Sequence, residues 1–469
     1  MSTASLQRGL AAARPRSVGD LVVLAAIVVG VPVLVLGMAL GGPTVQLLII
    51  AALAVLVAAW VTTVHPRVTL GAFALVLGLV PYAKLPGTEA PLILVLAVGS
   101  WVAIAFLPGV RFTIGYPEVL LGIFAAVAAI SFLVTSPSAD SVLEYVSWLA
   151  ATSVVVPMRL LTREARRVVV GALVAGAAVA AVAGVLLLRY DPLGYFLARL
   201  TVIGYHAGGG NAQYVPGVES NTLRLTGTYV EPNIAGLILA AGVLLAVAAY
   251  RGWLRVVLVA VIGAGLALTL SRSALGTVVV ALGLVVLLGR GRQRVWLAGT
   301  GVAAALAVLA TPVLRARIFS SFGEHDTGSQ ARALAFSDYA SSVQGHWLWG
   351  LGWDRPEYRS QSIGQTVNFV ANAPLLTVYR GGVILGAVAV LILLVLVVRA
   401  GLQARAGFEA AVLACGVAGF ALVALQLDFP VVIQHPATAV FSVLVGLSIG
   451  RPVTDDDVEP AAVQPEGAS

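Results

Sequence analysis

RLTGTYVEPN, from Arg224 to Asn233, and LTLSRSALGT, from Leu268 to Thr277, enclose two apolar segments joined by a short basic turn. Each apolar segment approaches the length a helix needs to cross a bilayer, and an arginine stands beside its end. Charges beside apolar spans are costly, and more often handle a charged ligand than decorate a surface. The rest of the chain is therefore read as the frame that holds Arg224 and Arg272.

The whole chain has the same character. Of its 469 residues 59% are hydrophobic and 10% charged, where a soluble domain carries about 25% charged residues. Apolar runs of about 20 residues, separated by short basic or Gly/Pro-rich turns, predict helices; lipid admits only helices and closed barrels, and barrel strands would alternate polar with apolar. The expected fold is all-α, a polytopic integral membrane protein of about 12–14 transmembrane helices. A formal charge of +7 would point to nucleic acid in a soluble protein, but here orientation in the membrane accounts for the excess and no nucleic-acid partner is expected. The one cysteine, Cys415, lies in an apolar run and has no second cysteine to bridge. The basic first 18 residues precede an apolar segment too long for a signal peptide and without an obvious cleavage site, so it reads as a retained first helix.

Apolar spans fall at roughly 19–40, 44–63, 68–83, 90–107, 117–135, 141–158, 168–188, 233–250, 253–270, 273–289, 295–312, 381–398, 407–426 and 435–450. With the N-terminus inside, the inner turns hold Arg67, Arg111, the cluster Arg159, Arg163, Arg166 and Arg167, then Arg251, Arg255, Arg290, Arg292, Arg294, Arg399 and Arg405. The short outer turns hold Lys84, Arg272 and residues such as Glu89, Asp140 and Asp428. This asymmetry orients both termini to the cytoplasm. The expected organisation is a cytoplasmic tail at 1–18, transmembrane helices at 19–188, an external loop at 189–232 and core helices at 233–312. A large external loop follows at 313–380, then helices at 381–450 and a disordered cytoplasmic tail at 451–469.

Loops this long need a reason, and these two do not read as disordered. The first contains Tyr190, Tyr195, Phe196, Tyr205 and Tyr214 and a glycine run at 207–211. The second carries a potential helix, SQARALAFSDYASSVQ (Ser329–Gln344), followed by HWLWGLGWDRPEY (His346–Tyr358). Its closely spaced tryptophans suit a membrane interface or a stacking surface for sugar rings.

Arg224, Arg272 and Arg332 all fall on the outer side. Arginine stays charged and presents a planar fork of donors, so a group of them beside lipid suits a diphosphate head group whose tail approaches sideways. The plainer alternatives are a snorkelling helix-end residue for Arg272 and a solvated helix face for Arg332.

The order of these motifs resembles the O-antigen ligase and polymerase family, also called Wzy-C or WaaL-like. Its Arg, Gly-Thr-aromatic and Pro-Asn are matched by Arg224, Gly227, Thr228, Tyr229, Pro232 and Asn233, and its Thr-x-Ser-Arg-Ser by Thr269, Ser271, Arg272 and Ser273. Arg332, Gly350, Gly352, Asn372, Leu375 and Gly382 fill the places of the loop arginine, Gly-x-Gly and Asn-to-Gly elements. The N-terminal half matches only as generic membrane helices. The resemblance implies a GT-C-like glycosyltransferase of the bacterial inner membrane, with no cofactor and no metal. Its partners would be an undecaprenyl diphosphate-linked glycan donor, a glycan or glycolipid acceptor, and membrane lipid. Arg224 and Arg272, then Arg332, would hold the departing diphosphate; Arg380 is a fourth contact or an interface anchor.

The sequence departs from the family where a histidine usually precedes the last Asn, since Ala371 stands there, and Arg380 occupies a position that is commonly acidic. A replacement base is sought among His346, Asp354, His325 and Glu231, with His346 first because histidine is the residue type whose charge ordinarily changes near neutral pH and because this one adjoins the GLGWD turn. Glu231 can instead favour the positive end of the next helix, and Asn233 and Asn372 can cap helices as well as contact substrate; Ser271 is a further candidate substrate contact. A polymerase of the same family is an alternative to a ligase. A transporter of lipid-linked sugars is the alternative of another class, although no repeat of the two halves is visible.

Overall fold

The computed structural model describes residues 42–205 except 87, 89, 136, 137 and 193, then 223–289, short pieces between 294 and 315, 336–353 except 338, 372–426 and 435–450. The chain divides into two units after His65. In the first, helix α1 (Pro43–Val64) starts on a proline, whose missing N–H costs nothing at a helix start.

The second unit holds α2 (Pro66–Leu79), α3 (Leu92–Phe106), α4 (Tyr116–Val134), α5 (Ala139–Ser153), α6 (Val155–Arg159) and α7 (Arg163–Tyr190). It continues with α8 (Pro232–Ala249), α9 (Gly252–Leu268), α10 (Arg272–Leu288), α11 (Ala373–Gln403), α12 (Phe408–Val423) and α13 (His435–Ile449). Among the described residues there is no strand, only an isolated bridge between Lys84 and Pro91. Among the described residues five stretches, one of them α5 together with α6, are long and apolar enough to cross a membrane, and α3, α9, α10, α12 and α13 are apolar but shorter. Large apolar side chains face outward, among them Leu133, Val279 and Leu287, at 68%, 69% and 77% exposure. Such surfaces are intolerable in water and ordinary against lipid. The chain is an all-α polytopic membrane protein.

Two helices differ from their expected spans. The span from 141 to 158 divides into α5 and α6, with Pro157 within the second piece, where a continued helix would lose a backbone bond and meet the ring. The span expected from 381 is the later part of α11, which begins at Ala373 and breaks at Gly382 (φ 81°). Pro374 and Asn372 mark that earlier start: proline sits in the first turn and the Asn372 carboxamide accepts from Leu375 N–H at 3.0 Å. The span at 19–40 and the first half of the expected loop helix at 329–344 lie outside the described residues.

α8 is buried along nearly its whole length, as is α12; helices apolar on all sides belong in the middle of a bundle. Without a hydrophobic driving force between helices in lipid, close approach depends on small residues. α7 shows this on three sides. A Cβ on Gly78 of α2 would stand 2.6 Å from the Leu173 carbonyl, and one on Gly265 of α9 or Gly242 of α8 would stand 2.7 Å or 2.9 Å from the methyl of Ala181 or Ala177. Gly78→Val should therefore separate α2 from α7 and destabilise the protein by about 1–3 kcal/mol or more. A lowered melting temperature in detergent, beside an unchanged one for Gly263→Ala, where nothing lies within 4 Å, would check it.

Candidate active site

α8 and α10 both begin at one place, and the two motifs are the turns that lead into them. Their first turns touch, since a Cβ on Gly236 would meet the Ala274 Cβ at 2.6 Å and the Ser271 Cβ at 3.0 Å. Neither helix start is closed by its N-cap side chain, Glu231 for α8 and Ser271 for α10. Helix starts without such caps present N–H groups and the positive end of the helix dipole, which is the local chemistry of an anion site.

The turns are tied to each other by Arg224. Its Nε donates to the Thr269 carbonyl at 2.9 Å and its Nη2 to Asn233 Oδ1 at 2.9 Å. Ser271 Oγ donates to the same Asn233 oxygen at 3.2 Å and lies 3.3 Å from Ser273 Oγ. The backbones join as well, Leu225 N–H donating to the Leu268 carbonyl at 2.9 Å. Asn233 Nδ2 reaches Glu231 Oε1 only at 3.5 Å, so the carboxamide oxygen carries most of the linkage. Arg224 is 9% exposed, Ser271 1% and Thr269 0%, whereas Arg272, the first residue of α10, is half-buried. Val230 (φ 62°) and Leu270 (φ 52°) adopt left-handed backbone beside these helix starts. Such conformations cost about 1–3 kcal/mol each and persist where the surroundings over-determine them.

The Gly-Thr-Tyr element between Arg224 and α8 braces the turn. Gly227 (φ 52°) lies so close to α7 that a Cβ would stand 3.0 Å from the Gly184 Cα. Thr228 Oγ1 donates to the Leu79 carbonyl and the Tyr229 hydroxyl to the Gly78 carbonyl at 2.6 Å, satisfying orphan carbonyls at the end of α2. The Tyr205 hydroxyl donates to the Thr228 carbonyl at 2.7 Å. Burial pushes both phenols up, so they remain protonated donors.

The other expected residues gather at the break in α11. The turn from Trp347 to Gly352 docks on the broken helix by backbone bonds, Leu351 N–H to Tyr379 at 2.7 Å, Gly352 N–H to Arg380 at 3.1 Å and Val383 N–H to Trp347 at 2.8 Å. Gly382 and Gly350 permit this contact, because a Cβ would meet the Leu348 carbonyl or the Arg380 carbonyl group. Arg380 is 1% exposed, lies 3.8 Å from Glu144 and sits 5.9 Å over the Trp353 ring. Trp353, also 1% exposed, packs on Trp148 and Tyr145 with centroids 5.0 and 5.4 Å away. That tryptophan is core, not a sugar-stacking surface, whereas Trp347 is 45% exposed.

His346 is exposed on the same turn. Asn372 caps α11 and donates to the Leu425 carbonyl at 2.9 Å. The structure thus brings Arg224, Glu231, Asn233, Ser271 and Arg272 together and places Arg380 and His346 on the α11 turn. Arg332, Asp354 and His325 lie outside the described residues. Glu144 is not among the expected residues, although a lone carboxylate inside an apolar span is itself a signal. Ser131, whose Oγ donates to the Trp349 carbonyl at 2.8 Å, carried no signal. An apolar cavity of about 90 Å3, lined by Phe124, Pro374, Thr377, Leu396 and Phe441 among others, runs beside α11.

Residues 256–374 match a family model described as O-antigen ligase, Wzy_C. The matched segment contains Ser271, Arg272, His346 and Asn372; it begins after Arg224 and Asn233 and ends before Arg380. No curated protein matches the chain. The match supports membership of the O-antigen ligase and polymerase family, whose members are membrane glycosyltransferase-type enzymes.

Proposed function

We propose that this chain is a metal-independent ligase that moves a glycan from an undecaprenyl diphosphate carrier to an acceptor hydroxyl on the outer side of the bacterial inner membrane. The observation that carries the reading is the meeting of two helix starts without side-chain caps, tied by Arg224, Asn233 and Ser271, with Arg272 as the first residue of one of them. In the transfer the acceptor oxygen forms a bond to the anomeric carbon while the bond from that carbon to the diphosphate breaks. The diphosphate gains negative charge as it leaves. Arg272 and the N–H groups of α10 meet that charge, while Arg224 holds the two turns in register and adds its own, which is electrostatic stabilisation by a preorganised site. Arg332, which the resemblance matches to the family's loop arginine, is proposed as a further contact. The apolar cavity beside α11 suits the isoprenoid portion of such a donor.

The acceptor proton needs a base. His346 is the first choice, exposed on the turn that docks on α11, with Asp354 and Glu231 as alternatives. Arg380, already committed to Glu144 and Trp353, acts by holding that turn.

A transfer assay with purified protein, a synthetic polyprenyl diphosphate oligosaccharide and a crude acceptor extract tests the reading. Release of carrier diphosphate should depend on acceptor and survive chelator. Arg272→Ala should abolish release without loss of folded protein, and Arg272→Lys should restore little, because a point charge does not replace the planar fork. Wild-type activity in Arg272→Ala would remove the diphosphate role. If labelled lipid crosses proteoliposomes without release, the chain is a transporter.

Asn233→Ala removes the shared acceptor of Arg224 and Ser271. It should slow transfer by roughly 10–100-fold, as expected for a hydrogen bond to a charged group worth about 1.5–3 kcal/mol. Asn372→Ser, which keeps a capping oxygen, should leave the rate near wild type; a collapse of activity there would give Asn372 a substrate role instead.

A further inference from the structure

The opposite end of α10 carries a second candidate anion site. A cavity of about 40 Å3 opens where α10 ends and α11 turns into α12; it is lined by Val285, Gly289, Arg294, Ala404, Arg405, Gly407, Phe408 and Ala411. A single water needs roughly 10–15 Å3 by a comparable measure, so this volume admits a tetrahedral anion. Two arginines line it, and among the described residues neither Arg294 nor Arg405 has a side-chain hydrogen-bond or ion-pair partner. A third stands close by, since the Arg255 guanidinium lies 5.2 Å over the Phe408 ring and 5.7 Å over Trp296. The start of α12 adds backbone donors. Gly407, in left-handed backbone at φ 148°, is its N-cap and offers no side-chain cap. Glu409, the one acidic residue in that first turn, is engaged with Arg166 at 3.2 Å.

The surroundings identify the source of the anion. On α11 the exposed residues Leu391, Leu394, Val398 and Leu402, at 51%, 56%, 62% and 71%, form a stripe that descends to Arg405. Leu287 and Leu288 expose an apolar surface at the end of α10. Trp253 and Trp296, at 76% and 40% exposure, flank the same end, where an amphipathic ring suits the boundary of a bilayer. A ligand with a phosphate in the cavity and hydrocarbon along the stripe satisfies both surfaces, while free phosphate satisfies only the first. Basic pockets between transmembrane helices hold anionic lipid head groups in this manner.

We infer that Arg294 and Arg405 form a binding site for the phosphate of an anionic glycerophospholipid, whose acyl chain lies along the exposed stripe of α11. The site is at the other end of α10 from Arg272 and is independent of the transfer reading.

Native mass spectrometry of the detergent-purified full chain tests it, using mixed micelles of phosphatidylglycerol and phosphatidylcholine. Wild type should retain phosphatidylglycerol in preference to phosphatidylcholine, and Arg294→Gln/Arg405→Gln should lose at least about tenfold of that preference, the scale of two charge-assisted contacts. Arg111→Gln/Arg167→Gln, which removes the same charge from exposed positions elsewhere, should keep it. Equal retention by the wild type and the Arg294/Arg405 variant overturns the site. Equal loss in both double variants reduces it to net charge and also overturns it. Displacement of the lipid by millimolar inorganic phosphate alone would make it a soluble-anion site and overturn the lipid assignment. A double variant that fails to give a monodisperse peak is replaced by the single exchange Arg405→Gln, which should lower retention of phosphatidylglycerol several-fold; unchanged retention there overturns the site.

Discussion

The buried guanidinium of Arg224 is the constraint around which the site end of the bundle is arranged. A permanently charged group at 9% exposure is tolerable only where oxygen atoms surround its donors. The chain supplies the Thr269 carbonyl from one motif and the Asn233 carboxamide from the other. Meeting that need fixes the α9–α10 turn against the entry to α8. Fixing it in turn aligns two helix starts whose N–H groups lack side-chain caps. The strain at Val230 and Leu270 belongs to the same economy, because neither backbone would hold its conformation without the ties on either side.

A second constraint governs the late helices. A break in an apolar helix frees carbonyls and N–H groups that lipid cannot satisfy. At Gly382 they are taken up by the turn from Trp347 to Gly352, which leaves Arg380 enclosed between Trp353 and Glu144. The loop is thereby fastened to the bundle by backbone bonds, and the side chains on its exposed face, His346 and Trp347, are presented from a fixed base. Fixed presentation is what a reacting group requires.

Much of this was legible in the sequence, for identifiable reasons. Apolar length predicts helices in lipid without any need for partners, so α4, α7, α8 and α12 lie close to their expected spans. The pairing of Arg224 with Thr269 was not legible, since it joins the turn before α8 to the turn before α10 and depends on how α8 and α9 reverse. The start of α11 was misplaced because Tyr379, Arg380 and two glycines interrupt the hydropathy that marks a span. The docked turn replaces what those residues lose. Trp353 resembled its neighbours Trp347 and Trp349 in sequence, and only packing on Trp148 and Tyr145 separates core from surface.

The two ends of α10 offer related chemistry with different rigidity. At its start the arginine fork is pinned by carbonyl and carboxamide oxygens, its backbone neighbours are strained, and the glycines beneath it admit no Cβ. Charge that develops and disappears within one reaction is stabilised only by groups already in place, because reorganisation during the step would consume the gain. At its far end Arg294 and Arg405 are exposed, on long side chains without protein partners among the described residues. Such groups lose rotamer freedom on binding, which weakens affinity but tolerates variation in what is bound. On the proposed reading of the two sites, a lipid drawn from a mixed bilayer requires that tolerance, and a leaving diphosphate cannot use it. The same residue type is thus divided by its surroundings, with preorganisation reserved for the end where α8 and α10 begin.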